Sequence, residues 1–179
     1  QIFPAKDEPN FIEEMQKAGY QFAEHIPTIA FPNPIYTIEI LPSVTPVYRL
    51  YNPGMKVHLF TNDENEYSVL KRHDWLDEGI AWYTHNLEGE PVYRLHNPGL
   101  KIHLYTKDVN EYKVLSTRGW NQEGVAYHSK GKLAVYRLYH PGIKKHHYTT
   151  SSHEKDVLSK EQGWEYEGIA WYSEDTIPV

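Results

Sequence analysis

One block of sequence, copied three times end to end, sets what this chain can fold into. The first copy opens at Pro46 with Val47-Tyr48-Arg49-Leu50-Tyr51 and turns through Asn52-Pro53-Gly54. It returns as His58-Leu59-Phe60-Thr61 and closes with Trp75 and then Glu78-Gly79-Ile80-Ala81-Trp82-Tyr83. The second opens at Pro91 and repeats the order from Val92-Tyr93-Arg94-Leu95 through Ile102-His103-Leu104-Tyr105-Thr106 to Gly119-Trp120 and Glu123-Gly124-Val125-Ala126-Tyr127. The third runs from Val135-Tyr136-Arg137-Leu138 through Lys145-His146-His147-Tyr148-Thr149 to Gly163-Trp164 and Glu167-Gly168-Ile169-Ala170-Trp171-Tyr172. A period of about 44 residues, matched at turn, small and aromatic positions, makes this a repeat protein with copies at 46–90, 91–134 and 135–179.

Each copy spells out its own local structure. The Tyr-Arg-Leu run is β-prone, and Asn-Pro-Gly supplies a tight turn, expected as type II, into a second strand. Asp63-x-x-Glu66, Asp108-x-x-Glu111 and Ser151-x-x-Glu154 read as capping boxes opening a short helix that carries Leu70, Leu115 or Leu158. Gly119 and Gly163 stand where a left-handed residue ends that helix, with Asp74 as the substitute in the first copy. The Ile-Ala-Trp segment is a third strand, so the unit is β-β-α-β. One unit cannot bury both faces of three short strands, whereas three closing around a pseudo-threefold axis can. The expected fold is mainly β with one short helix per repeat, in a closed β-trefoil-like body or, as the alternative, a three-bladed propeller-like ring.

Residues 1–45 read as a degenerate capping copy and a connecting strand, forming one domain with the repeats. Ile2-Phe3 stands for the second strand, Phe11 and Met15 keep helical spacing, and Gly19-Tyr20 and Ile29-Ala30-Phe31 stand for the closing segment. Ile35–Ile40, between prolines, is expected as an edge or connecting strand.

Composition removes several function classes. A net charge of −6 argues against a nucleic-acid partner, which calls for a basic face. The absence of cysteine excludes disulfides and thiolate metal sites, and no apolar run is long enough to span a membrane. A start at Gln1 fits a processed secreted chain as well as a trimmed one. The aromatic content is high, and all five Trp fall in the closing segments, where they fill equivalent core slots or form platforms for a flat ligand.

Four polar positions recur. The cap glutamates Glu66, Glu111 and Glu154 are expected to reach back to a backbone amide. Arg49, Arg94 and Arg137 are expected either to pair with Glu78, Glu123 and Glu167 or to line a pocket with them and bind sugar hydroxyls. His58, His103 and His146 have three readings: strand residues in hydrogen bonds, glycan contacts, or a zinc site formed by convergence on the axis. The last is disfavoured because a spacing of one whole repeat is no ligand motif. No nucleophile elbow, phosphate loop or metal-binding helix motif appears, and every candidate acid occurs in triplicate with a local role, so no enzyme, metal or cofactor is expected.

The motifs resemble a repeat family marked by Tyr-Arg-Leu-Tyr-Asn-Pro, His-Leu-Tyr-Thr and Gly-Trp-x-x-Glu-Gly-Ile-Ala-Trp/Phe-Tyr, over residues 46 to 173. Members look like non-catalytic modules of secreted bacterial and fungal proteins, often appended to cell-wall hydrolases and peptidases. The resemblance implies a secreted or surface-associated attachment module rather than chemistry, and carries over no ligand residues. Asp74, His140, His147 and Tyr127-His128 depart from the family pattern. The resulting expectation is a lectin-like carbohydrate- or cell-wall-binding module with up to three related sites, built from Arg49, His58, Glu78 and Trp82; Arg94, His103, Glu123 and Tyr127; and Arg137, His146, Glu167 and Trp171. The alternatives are a protein-binding or inhibitory module using Thr84–Glu90 and Ser129–Leu133, or a wall-polymer hydrolase.

Overall fold

A computed structural model describes the backbone of residues 2–4, 20–25, 35–40 and 43–177, and the side chains of 43–177. The chain divides into two compact units, 1–43 and 44–179. In the first, β1 (Ile2–Pro4), β2 (Tyr20–His25) and β3 (Ile35–Ile40) form an antiparallel sheet in the order β1-β3-β2. The strand expected as an edge or connecting strand is the central one of this sheet. The paired span 35–40 contains no proline, so no ladder donor is missing within it. The helical spacing of Phe11 and Met15 and the segment Ile29-Ala30-Phe31 lie outside the described residues.

The second unit repeats one pattern three times. The first repeat has β4 (Val44–Asn52), β5 (Val57–Thr61), α1 (Glu64–Leu70) and β6 (Leu76–His85); the second has β7 (Glu90–Asn97), β8 (Ile102–Thr106), α2 (Val109–Ser116) and β9 (Asn121–Ser129). The third has β10 (Leu133–His140), β11 (Lys145–Thr149), α3 (Ser152–Glu161) and β12 (Glu165–Ser173). Each repeat is a three-stranded antiparallel sheet with its first strand in the middle, in the β-β-α-β order the sequence predicts. The strands of the three repeats do not join into a barrel of the trefoil kind. Pairing between repeats is confined, among the described residues, to His85 with His128 and Tyr83 with Glu174.

Two local readings need correction. The Asn-Pro-Gly turn is not type II, because its left-handed residue is Lys56, Lys101 or Lys144 rather than the glycine. The side chains of Asn52 and Asn97 accept hydrogen bonds from the Met55 and Leu100 amides at 2.9 and 3.0 Å, which extends the turn by folding it under the asparagine. The capping boxes are also only half formed. Asp63 and Asp108 accept from the amides of Glu66 and Glu111, and Ser151 from that of Glu154, as expected; the cap residues' own amides, however, donate to Thr61, Thr106 and Thr149 at 3.0 Å. The three cap glutamates are thereby released from the backbone. The helix ends do follow the expectation, with Asp74, Gly119 and Gly163 all at positive φ.

Between the repeats lies an aromatic core, to which each contributes the same three positions: Val47, Phe60 and Trp82; Val92, Tyr105 and Tyr127; Val135, Tyr148 and Trp171. The core rings pack with centroids 5.1–6.5 Å apart: Phe60 stacks on Trp82 at 5.1 Å and Tyr105 on Tyr127 at 5.6 Å, while Trp82 meets Trp171 edge-on at 5.9 Å. Hydroxyls link one repeat to the next: Tyr105 donates to the Phe60 carbonyl and Tyr148 to the Tyr105 carbonyl, each at 2.8 Å, and Tyr127 also donates to the Phe60 carbonyl. The indole Nε1 atoms of Trp82 and Trp171 are buried without a hydrogen-bond partner among the described residues. That costs roughly 1–3 kcal/mol each. Burial of an indole, about 150–250 Å² at about 25 cal/mol/Å², outweighs it.

The helices bury no residue fully and are pinned to the outside of each sheet. Tyr67 stacks on Tyr48 at 3.9 Å and Tyr112 on Tyr93 at 4.5 Å, while in the third repeat the Lys155 ammonium lies 5.1 Å from the centre of the Tyr136 ring.

Candidate functional site

The Glu-Gly-Ile-Ala segment is not a plain strand but a double bulge. Tyr48 pairs with Ile80 and Leu50 with Asp77, so Arg49 alone faces both Glu78 and Gly79; Val47 pairs with Trp82, which leaves Ala81 as a second extra residue. The other repeats show the same shifts around Glu123-Gly124 and Glu167-Gly168. Gly79, Gly124 and Gly168 sit at φ 84°, 85° and 103°, a conformation that favours glycine and re-aims the residue before it. The bulge turns each glutamate onto the arginine opposite. Arg Nε donates to Glu78, Glu123 or Glu167 at 2.5, 2.5 and 2.6 Å.

The freed cap glutamates complete the arrangement across the repeat boundary. Arg49 is bidentate to Glu154 at 3.1 Å, Arg94 donates to Glu66 at 2.8 Å, and Arg137 is bidentate to Glu111 at 2.7 Å. The first repeat thus reaches the third, the second the first, and the third the second, so the ion pairs run in a cycle. Burial opposes the charge on all three guanidiniums, but the facing glutamates, together with Tyr105 beside Arg94, hold them above the ordinary arginine value. Burial likewise works against Glu66, Glu111 and Glu154. Hydrogen bonds from Arg94, from Arg137, and from His147 and Arg49 respectively keep them below the usual carboxylate range.

A cleft opens at each of these junctions. The one between the first and third repeats holds Arg49, Glu78, Ile80 and Glu154 in about 380 Å³; that between the second and first holds Arg94, Glu123, Val125 and Glu66 in about 280 Å³. That between the third and second holds Arg137, Glu167, Ile169 and Glu111 in about 600 Å³. Ile80, Val125 and Ile169 are 49, 49 and 45 % exposed. They are the wall residues the sequence did not single out, since an aliphatic side chain in a strand reads as core. Carboxylates outnumber cations in each cleft once the helix caps Asp63 and Asp108 are included.

The twelve residues expected to act together are separated by the structure into three layers. The arginines and bulge glutamates line the clefts. Trp82, Tyr127 and Trp171 are 2, 1 and 1 % exposed and belong to the central core; Trp82 and Tyr127 also border two of the clefts, but rings so little exposed offer no open face for a ligand to stack on. His58, His103 and His146 stand behind the clefts, with Nε2 3.1, 3.5 and 3.3 Å from Glu78, Glu123 and Glu167. Burial lowers the pKa of His58 to about 3, helped by His147 and Arg49, and that of His103 to about 4, helped by Arg94. Among the described residues no group of three metal-ligating side chains is placed to hold an ion. Nor is any described helix long and apolar enough to cross a membrane.

The loops that vary between repeats are shorter than the sequence suggests. Thr84 and His85 are buried at the end of β6 and Ser129 at the end of β9, which leaves 86–89 and 130–132 between strands.

No curated protein and no solved structure matches the chain. One family, described as Domain of unknown function (DUF5648), matches residues 7–130 and again 46–174, two registers about one repeat apart, and the chain belongs to that family.

Proposed function

We propose that the protein is a non-catalytic carbohydrate- or cell-wall-binding module, secreted or held at a cell surface, whose three inter-repeat clefts take equivalent residues of one glycan. The observation that carries this reading is the recurrence at all three junctions of a fixed Arg-Glu pair beside an exposed aliphatic side chain. Each guanidinium is held in place by two carboxylates, so its remaining N–H groups and the glutamate oxygens are preorganised to meet sugar hydroxyls. The aliphatic wall takes the apolar face of the ring. The surplus of carboxylates favours neutral or amino sugars over anionic ones. Each cleft is shallow and weak alone; three on one body gain on a polymer through effective concentration.

The closed pseudo-threefold body belongs to the same proposal. Three-stranded sheets around a shared aromatic core, joined by a cycle of ion pairs, favour a three-bladed propeller-like ring over a β-trefoil-like body.

Equilibrium binding to insoluble peptidoglycan, chitin and a panel of soluble glycans tests the function. Retention on at least one polymer, lost when Ile80, Val125 and Ile169 are all replaced by Asp, is expected; no retention on any of them would remove the proposal.

A further inference from the structure

We propose that the cavity where all three repeats meet is a second, single binding site, for a small organic carboxylate with an apolar body. The cavity has a volume of about 260 Å³, just below the roughly 300 Å³ at which pockets for drug-sized ligands begin, which limits it to a small molecule. His58, His103 and His146 enter it from the three repeats as equivalents.

The third repeat breaks the equivalence, and it does so here. Lys145 stands where the first two repeats bury Val57 and Ile102, and His147 where they bury Leu59 and Leu104. Both substitutions line the cavity. Placing an ammonium at an otherwise apolar position is costly unless something meets it. The Lys145 ammonium finds only the carbonyls of Met55 and Lys56, at 2.7 and 3.1 Å, and no carboxylate lies within ion-pair distance among the described residues. Lys56 also lines the cavity and has no ion pair among the described residues, and burial together with its repulsion lowers the pKa of Lys145.

The one acid on the wall does not neutralise them. Glu154 accepts from Arg49 at 3.1 Å and from Thr149 at 2.5 Å, and lies 3.1 Å from His147 Nε2. Among the described residues the cavity is thus left with two cations that have no carboxylate partner, Lys145 on two carbonyls and Lys56 toward solvent. His58 and His103, neutral at pH 7, add polar contacts without charge. Beyond these groups, the other histidines and Tyr51, the wall is apolar, from Val57, Ile102, Ile143, Leu158 and Trp164. Such a lining fits a carboxylate at the lysine end attached to an aromatic or branched aliphatic body, and it disfavours a hydrated inorganic anion, which leaves the apolar wall unmet.

The test uses the whole chain, titrated with benzoate, isovalerate, benzamide and inorganic phosphate while the histidine ring resonances are followed by NMR. Benzoate or isovalerate is expected to shift the rings of His58, His103 and His147, and benzamide to bind at least about tenfold more weakly. Lys145→Ile, which restores the residue type of the second repeat, should lower carboxylate affinity at least about tenfold, while Lys145→Arg retains it. A melting curve like the parent's shows that Lys145→Ile is folded; should it not fold, Lys56→Ala, at an exposed position, takes its place with a smaller loss expected. Polymer retention by the clefts is unchanged in these variants. The proposal is overturned if neither carboxylate perturbs the rings at about 10 mM, if benzamide binds as well as benzoate, if phosphate binds more tightly than either, or if affinity survives Lys145→Ile.

Discussion

The clefts between the repeats and the cavity where all three repeats meet draw on the same strands, yet one is uniform and the other is not. In the clefts, Arg49, Arg94 and Arg137 keep the same two carboxylate partners with only small changes in distance. In the cavity, Lys145 and His147 replace apolar residues in one repeat alone. A junction that helps hold repeats together must be repeated wherever repeats meet. A space shared by all three needs altering only once to become specific, because each strand contributes to it a single time. The contrast is what the two proposals rest on: a polar pattern repeated at every junction, and one shared space altered by a single repeat.

The largest effect should come from breaking the aromatic core that both regions rest on. Trp171→Ala is expected to lower the unfolding free energy by about 3–5 kcal/mol, whereas Ile169→Ala, two residues earlier on the cleft wall, should change it by no more than about 0.5 kcal/mol. Denaturant unfolding measures both, and similar losses would merge cleft wall with core.

Next are the two carboxylates that share one arginine. Glu111→Gln removes the inter-repeat partner of Arg137 and should cost about 1–3 kcal/mol; Glu167→Gln, at the more open rim with its side chain 35 % exposed, should cost about 1 kcal/mol or less. The reverse order would place the holding force within repeats rather than between them.

The histidines behind the clefts set the response to acid. The folded pKa values of His58 and His103, about 3 and about 4, lie below the unfolded value, so between those values and about 6.5 the unfolded chain binds more protons. Stability should therefore fall as pH drops below about 6.5, by up to about 1.4 kcal/mol per pH unit for each histidine, or about 1 kcal/mol per histidine at pH 5.5. His103→Gln should flatten that slope, as read from unfolding curves at pH 7 and 5.5. An unchanged slope would take the acid response in this range away from His103; the carboxylates, held below the usual carboxylate range, act only at lower pH.

The smallest effect sharpens the threefold comparison within the core. Tyr105 and Tyr148 each donate to the backbone of the preceding repeat, and Phe60, in the equivalent position, has no hydroxyl to offer Tyr148. Phe60→Tyr supplies it and should stabilise by about 0.5–1.5 kcal/mol. Destabilisation would mean that this position is not equivalent to the other two.

How much was legible depended on whether a signal was local. Repeat length, the β-β-α-β order, the caps at Asp63, Asp108 and Ser151 and the helix ends at Gly119 and Gly163 are written in adjacent residues, and they appear where expected. The partners of Glu66, Glu111 and Glu154 were not legible, because Thr61, Thr106 and Thr149 take over the backbone role and free these side chains for arginines in another repeat. The bulge does carry a sequence signal: a glycine inside a strand, preceded by glutamate in every copy, marks a place where pairing slips. The rings at Trp82, Tyr127 and Trp171 could be read as core or as platform from composition alone, and burial settles them as core. The cavity left a trace in the departure of His147 from leucine, but only the fold shows that it faces the same space as Lys145.

The central claim is that three equivalent clefts act together on one polymer. Its most direct test is the depletion isotherm of the chain on a retaining polymer for the parent and for variants carrying Asp at one, two or all three of Ile80, Val125 and Ile169. A stepwise loss, each step removing about tenfold or more in apparent affinity whichever cleft is altered first, is the predicted result. Abolition by one particular substitution with no effect from the other two, or full retention by the triple variant, would contradict it.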